Sequence, residues 1–140
     1  MLFNPAFSPR LLAAPLALAL LAAPAGADVL NSGLEIEPGQ FFELGGGQKG
    51  GFTVTGRNTG PSAVVVYVMA DGPDANLVER GTVAPGASVD ATFGPGDMAV
   101  LRNTSTMETA RLKLKIAGDI STLGMTYSPD PAAKRRLNPR

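Results

Sequence analysis

Nowhere between residues 28 and 140 do apolar side chains recur at helical spacing over three turns; they alternate instead, in short runs. A period of two places successive side chains on opposite faces of an extended chain, so these runs read as β-strands. Leu34 and Ile36 alternate with Glu35 and Glu37 before Pro38-Gly39, and Phe52 and Val54 alternate with Thr53 and Thr55 before Gly56. Residues 63–70 are apolar on both parities, the pattern of a central strand buried on both faces. A shorter run starts at Leu77-Val78, breaks at Gly81 and resumes at Thr82-Val83. Val89, Ala91 and Phe93 follow the Pro85-Gly86 turn, and Met98 to Leu101 follow Gly94-Pro95-Gly96. Leu112, Leu114 and Ile116 alternate strictly with Arg111, Lys113 and Lys115, and Leu123, Met125 and Tyr127 close the series.

Some eight short strands with turn residues between them predict an all-β fold, a small antiparallel sandwich of immunoglobulin-like or jelly-roll-like type. One echo runs through the pattern. Arg57-Asn58-Thr59 and Arg102-Asn103-Thr104 each follow a strand and precede a turn, as equivalent positions of two stacked sheets would. The triplet is too short to mark a duplication.

The first residues follow a different rule. Arg10 is a lone positive charge, residues 11–23 are an uncharged stretch of Leu, Ala and one Pro, and Ala25-Gly26-Ala27 supplies small residues before Asp28. That order describes a secretory signal peptide cleaved after Ala27. The apolar run is too short, and too interrupted by Pro15, for a membrane-spanning helix, which needs ~20 apolar residues. The expected organisation is a signal peptide at 1–27, a β-sandwich domain at 28–127, and a disordered basic tail at 128–140, where prolines replace alternation.

Charge and composition narrow the function classes. Residues 28–127 hold seven Lys/Arg against eleven Asp/Glu, while the tail carries Lys134, Arg135, Arg136 and Arg140 against Asp130. A mildly acidic body argues against nucleic acid as partner. With no histidine and no cysteine, the chain lacks Ser-His-Asp and Cys-His arrangements, histidine metal clusters and thiolate zinc sites. No disulfide and no lipid-anchored cysteine is possible, so no membrane anchor and no cofactor is expected.

Four constellations carry candidate chemistry. Glu35, Glu37 and Glu43 lie in one region, and two carboxylates can hydrolyse a glycoside when they flank the sugar; equally, Glu35 and Glu37 are the solvent face of an edge strand. The sequence has no tryptophan for a sugar platform, and Tyr67 and Tyr127 fall where core residues are expected. Asp71, Asp74 and Asn76 place three oxygen-bearing side chains in one tight segment, a calcium candidate whose spacing fits no EF-hand. The same residues are what a turn between strands needs.

Gly45-Gly46-Gly47-Gln48-Lys49-Gly50-Gly51 lacks the Gly-Lys-Ser/Thr order of a phosphate loop and reads as a flexible hairpin loop. The sharpest constellation is Arg111, Lys113 and Lys115, three cations on one strand face. They suit an anionic glycan, a lipid head group or an acidic protein; as charges on a strand they also serve to discourage edge pairing. Together these features predict an exported, non-enzymatic binding or accessory module with a protein or glycan partner. A self-associating structural subunit of a surface or fibre assembly is the alternative, and a carboxylate-based hydrolase the third class.

Overall fold

A computed structural model describes residues 28–72 and 76–130. The expected signal peptide, Asp74 and the basic residues of the tail lie outside them. The described residues contain no helix and form nine strands: β1 (Asp28–Ile36), β2 (Gln40–Gly45), β3 (Phe52–Asn58), β4 (Val64–Met69), β5 (Leu77–Val83), β6 (Ser88–Phe93), β7 (Met98–Asn103), β8 (Ala110–Gly118) and β9 (Met125–Pro129). They make two antiparallel sheets, ordered β1-β8-β3-β6 and β5-β4-β7-β2-β9.

The pairing has a simple logic. β4 pairs with β5, β3 with β6, β2 with β7 and β1 with β8, a nest of antiparallel partners centred on the β4–β5 connection. Winding that nest so that alternate pairs fall in opposite sheets gives a jelly roll, one of the two sandwich types the alternation predicts. β9 is the addition, laid antiparallel on the outer side of β2.

Inward positions of both sheets interdigitate. Leu34, Ile36, Phe52, Val54, Phe93, Leu112, Leu114 and Ile116 of the four-stranded sheet meet Phe42, Leu44, Val64, Val66, Ala99 and Leu101 of the five-stranded one. The Phe52 and Phe93 rings stack across β3–β6 with centroids 5.0 Å apart. Burial of this apolar area is the main driving force, at about 25 cal/mol per Å². Gly56 is a point where sequence and packing leave no choice. A Cβ there would overlap the Lys113 carbonyl oxygen of β8, so β3 approaches its neighbour more closely than any side chain allows.

Several expectations are corrected. β2 is a strand that alternation did not reveal, because Phe41 and Phe42 are both buried, one on each face, and the pattern reads as continuous apolar. β1 starts at Asp28 rather than near Leu34, since its first half pairs with residues 115–118 while both its faces remain exposed. The interruption at Gly81 is a bulge and not a break: Val66 faces Gly81 and Tyr67 faces Glu79, leaving Arg80 as the extra residue.

The C-terminal boundary also moves. Ser128 and Pro129 belong to β9, Asp130 donates its backbone N–H to the Gly39 carbonyl at 2.8 Å, and its carboxylate lies 4.0 Å from Arg102. Backbone pairing to β2 and this cation hold three residues that lack alternation. Tyr67 and Tyr127 are not core residues either. Tyr67 points outward from β4 and meets Phe41 and Arg102, while Tyr127 packs on Phe42 and stays half exposed.

Candidate functional site: the cationic face of the four-stranded sheet

β8 is an interior strand, flanked by β1 and β3. Its even-numbered residues Leu112, Leu114 and Ile116 are buried, which forces Arg111, Lys113 and Lys115 onto the outer face, about 7 Å apart along the strand. The explanation of these charges as guards of a sheet edge is therefore wrong: β8 has no edge to guard.

Neighbouring strands enlarge the cluster. Arg111 faces Glu35 of β1, and its Nη1 donates to the Glu35 carboxylate at 2.7 Å. Lys113 faces Gly33 on one side and Arg57 of β3 on the other. Lys115 faces Asn31 and Thr55, and Thr55 in turn faces Asp90 of β6. The Thr53 and Thr92 hydroxyls, 3.3 Å apart, finish the face on its lower side. Four cations, Arg57, Arg111, Lys113 and Lys115, thus share a sheet face with two carboxylates, Glu35 and Asp90.

Arg57 was not among the sequence candidates, because only the β3–β8 register puts it beside Lys113. Facing positions on antiparallel strands hold their Cβ atoms about 5 Å apart, and like charges placed so are destabilising. No carboxylate stands in the Gly33–Lys113–Arg57–Ser88 row to relieve them.

Gly33 shapes the surface. A Cβ there would meet nothing within 4 Å, and without one the backbone of β1 and β8 lies open as the floor of a shallow groove. The groove, about 380 Å³, runs between Lys113 and Lys115 and is lined also by Asn31, Ser32 and Gly56. Its shape and charge suit the sulfate, phosphate or carboxylate groups of an extended anion, held by charge-assisted hydrogen bonds.

The remaining candidates are not assembled. Glu35 projects from the outer face of one sheet and Glu43 from the outer face of the other, where it accepts a hydrogen bond from Ser128 at 3.0 Å. Glu37 lies beyond the end of β1, in the connection to β2, and so is not a residue of that strand. Asp71 lies against Gly96 at a cavity of about 300 Å³ lined by Gly45, Gly46, Gly47 and Met98. Among the described residues no three acidic side chains gather at a position able to hold a metal ion.

The glycine-rich segment is not a hairpin loop; it crosses from β2 in one sheet to β3 in the other. Nor is it a loose one. Gln48 is buried, takes the Gly46 N–H on its Oε1 at 2.7 Å, and donates its Nε2 to the Gly94 and Asp97 carbonyls. Gly45, Gly46 and Gly47 all have positive φ, which lets the chain fold around that amide.

The sequence matches no protein-family model and no curated protein. Among solved structures, a mitogen derived from Yersinia pseudotuberculosis is similar in arrangement, with a TM-score of 0.44 and 13% identity over 73% of this chain and 97% of that one.

Proposed function

We propose that the protein is exported and acts outside the cytoplasm as a non-enzymatic binding module, whose cationic sheet face takes an anionic partner of the acidic-glycan class. The observation that carries this reading is the facing of Arg57 and Lys113 on interior strands. Stability alone would favour a neutral or oppositely charged pair there. A partner supplying the missing negative charge accounts for what folding does not.

The signal-like pattern before Asp28 supports export, and cleavage after Ala27 leaves every described strand intact. Among the described residues no helix is long and apolar enough to cross a membrane. The test is binding of dextran sulfate against neutral dextran by titration calorimetry at several salt concentrations. The expected result is binding of the sulfated polymer alone, weakening as salt screens the contacts. Arg57→Ser together with Lys113→Ser should lower the affinity at least tenfold. Equal binding of both polymers, or unchanged affinity in the double variant, overturns the reading.

A further inference from the structure

Among the described residues the two sheets differ in width, four strands against five, so the four-stranded sheet has room for one more strand beside β1. The nested pairing implies β1 over β2, β8 over β7, β3 over β4 and β6 over β5. Among the described residues no strand then lies above β9, outside β2. Its inward-facing side chains show the consequence: Met125 is 41% and Tyr127 46% exposed, although both point to the core side. Leu30, on the inward face of β1 at the same margin, is 37% exposed.

Of the four sheet edges, three carry recognisable protection. β5 is bulged at Arg80, β9 ends in Pro129, and the Arg80 guanidinium donates to the Thr92 carbonyl of β6 at 3.2 Å. β1 has little: it pairs with β8 through nine consecutive residues without a bulge, contains no proline and no basic residue, and carries its one charge on the parity of Leu30, Leu34 and Ile36 at its first residue, Asp28.

We infer that the edge of β1 accepts one extended polypeptide segment as a tenth strand, lying above β9, with apolar side chains facing Tyr127 and Met125 and acidic ones alternating on the outside. Strand addition of this kind draws affinity from main-chain hydrogen bonds and specificity from alternate side chains. The occupant is a lone segment and not a second copy of the sandwich. Antiparallel joining of two β1 edges relates the copies by a two-fold axis through the sheet, and the β9 ledge would then collide with β2 of the other copy.

The sign of its outer face follows from charge. Gly33 puts no side chain between the added strand and Lys113, so a carboxylate opposite Gly33 reaches across the groove toward that ammonium. Only this charge preference rests on the cationic-face reading; the slot itself stands on topology.

The probe is a fluorescent seven-residue peptide, Glu-Val-Glu-Val-Glu-Val-Glu with blocked ends, read by anisotropy against the purified protein. Two control peptides replace every Glu by Lys, or carry N-methyl groups on alternate residues. The expected result is saturable binding of the Glu/Val peptide, with at least tenfold weaker binding of both controls. Leu30→Lys, which aims a charge into the slot from a partly exposed position, should weaken the peptide at least tenfold and leave dextran sulfate binding unchanged.

Binding of the N-methylated peptide as tight as the parent, absence of binding at millimolar peptide, or indifference to Leu30→Lys overturns the inference. So does a wild-type dimer that Leu30→Lys dissociates, which would make a second copy the occupant. Should Leu30→Lys fail to fold, the N-methyl comparison on wild-type protein decides. Loss of dextran sulfate binding with peptide binding intact would sink the cationic-face reading alone.

Discussion

Ser62 donates its hydroxyl hydrogen to Oδ1 of Asn103 at 3.0 Å, and the Ser62 carbonyl accepts Nδ2 of Asn58 at 2.8 Å. One serine thus joins two buried asparagines that end β3 and β7, in opposite sheets. Each asparagine does the same work. Asn58 donates also to the Val83 carbonyl and accepts from the Gly60 N–H; Asn103 donates to the Ile36 and Glu108 carbonyls and accepts from the Ser105 N–H. Connections that leave the sheets at this end would otherwise bury unpaired main-chain groups.

Asn103→Ala is therefore expected to destabilise the domain strongly. It strands two carbonyls, an N–H and the Ser62 hydroxyl, and a buried polar group left unsatisfied costs about 1–3 kcal/mol. A loss of about 3 kcal/mol overall is expected in urea denaturation at constant m-value. Asn103→Asp should not rescue it, because a carboxylate cannot donate to the Ile36 and Glu108 carbonyls. A midpoint within error of wild type for either variant would refute this account.

Two glycines of the four-stranded sheet should respond oppositely to alanine. Gly56→Ala drives a Cβ into the Lys113 carbonyl and must part β3 from β8, so little folded protein is expected by circular dichroism and one-dimensional proton NMR. Gly33→Ala fills open space and relieves the entropic weakness of glycine in a strand, and stability should hold or rise by about 0.5 kcal/mol. The same alanine narrows the groove floor, so it should weaken dextran sulfate binding while the fold improves.

Arg57→Thr separates affinity from stability. Removing one of two facing cations should raise the urea midpoint slightly, and lower dextran sulfate affinity and its salt dependence together. If stability falls instead, the cation contributes to the fold and the argument from its cost fails.

Gln48→Ala tests whether the glycine-rich crossover is held or loose. Its amide is buried and satisfies carbonyls of the β6–β7 turn from 46 and 49 residues away in sequence. The variant should lose about 2 kcal/mol. Faster amide exchange should be confined to residues 45–51 and 94–97; exchange unchanged there would mean the glycines order themselves.

How far the residues foretell this depends on what kind of contact each makes. Local alternation marks β1, β3, β6 and β8 directly, since one face of each is buried against the other sheet, and unbroken apolar runs mark β4 and β7. The recurrence of Arg-Asn-Thr reports equivalent strand ends, because both asparagines meet the same need. β2 escapes because Phe41 and Phe42 erase the period of two in a segment with too few apolar residues to read, like 63–70, as a strand buried on both faces. Gln48 escapes because a single amide amid glycines carries no periodic signal, and its partners are distant in sequence.

The cationic face is half legible. Spacing alone puts Arg111, Lys113 and Lys115 on one side of a strand. That β8 is interior, that Arg57 joins them and that Glu35 neutralises one of them are matters of register between distant strands, which no local pattern encodes.

The pairing of β1 with β8 sets the order in which the chain can finish folding. Asp28 faces Gly118, a partner 90 residues later, so the strand synthesised first waits for almost the last one. Non-local pairing of this depth slows folding to milliseconds or longer, and closure is expected to spread from the β4–β5 hairpin outward. If the chain is exported amino-terminus first, as proposed above, β1 could not lock onto β8 until nearly all of the domain had emerged. The jelly roll's own connectivity would then defer closure of the four-stranded sheet to the far side of the membrane.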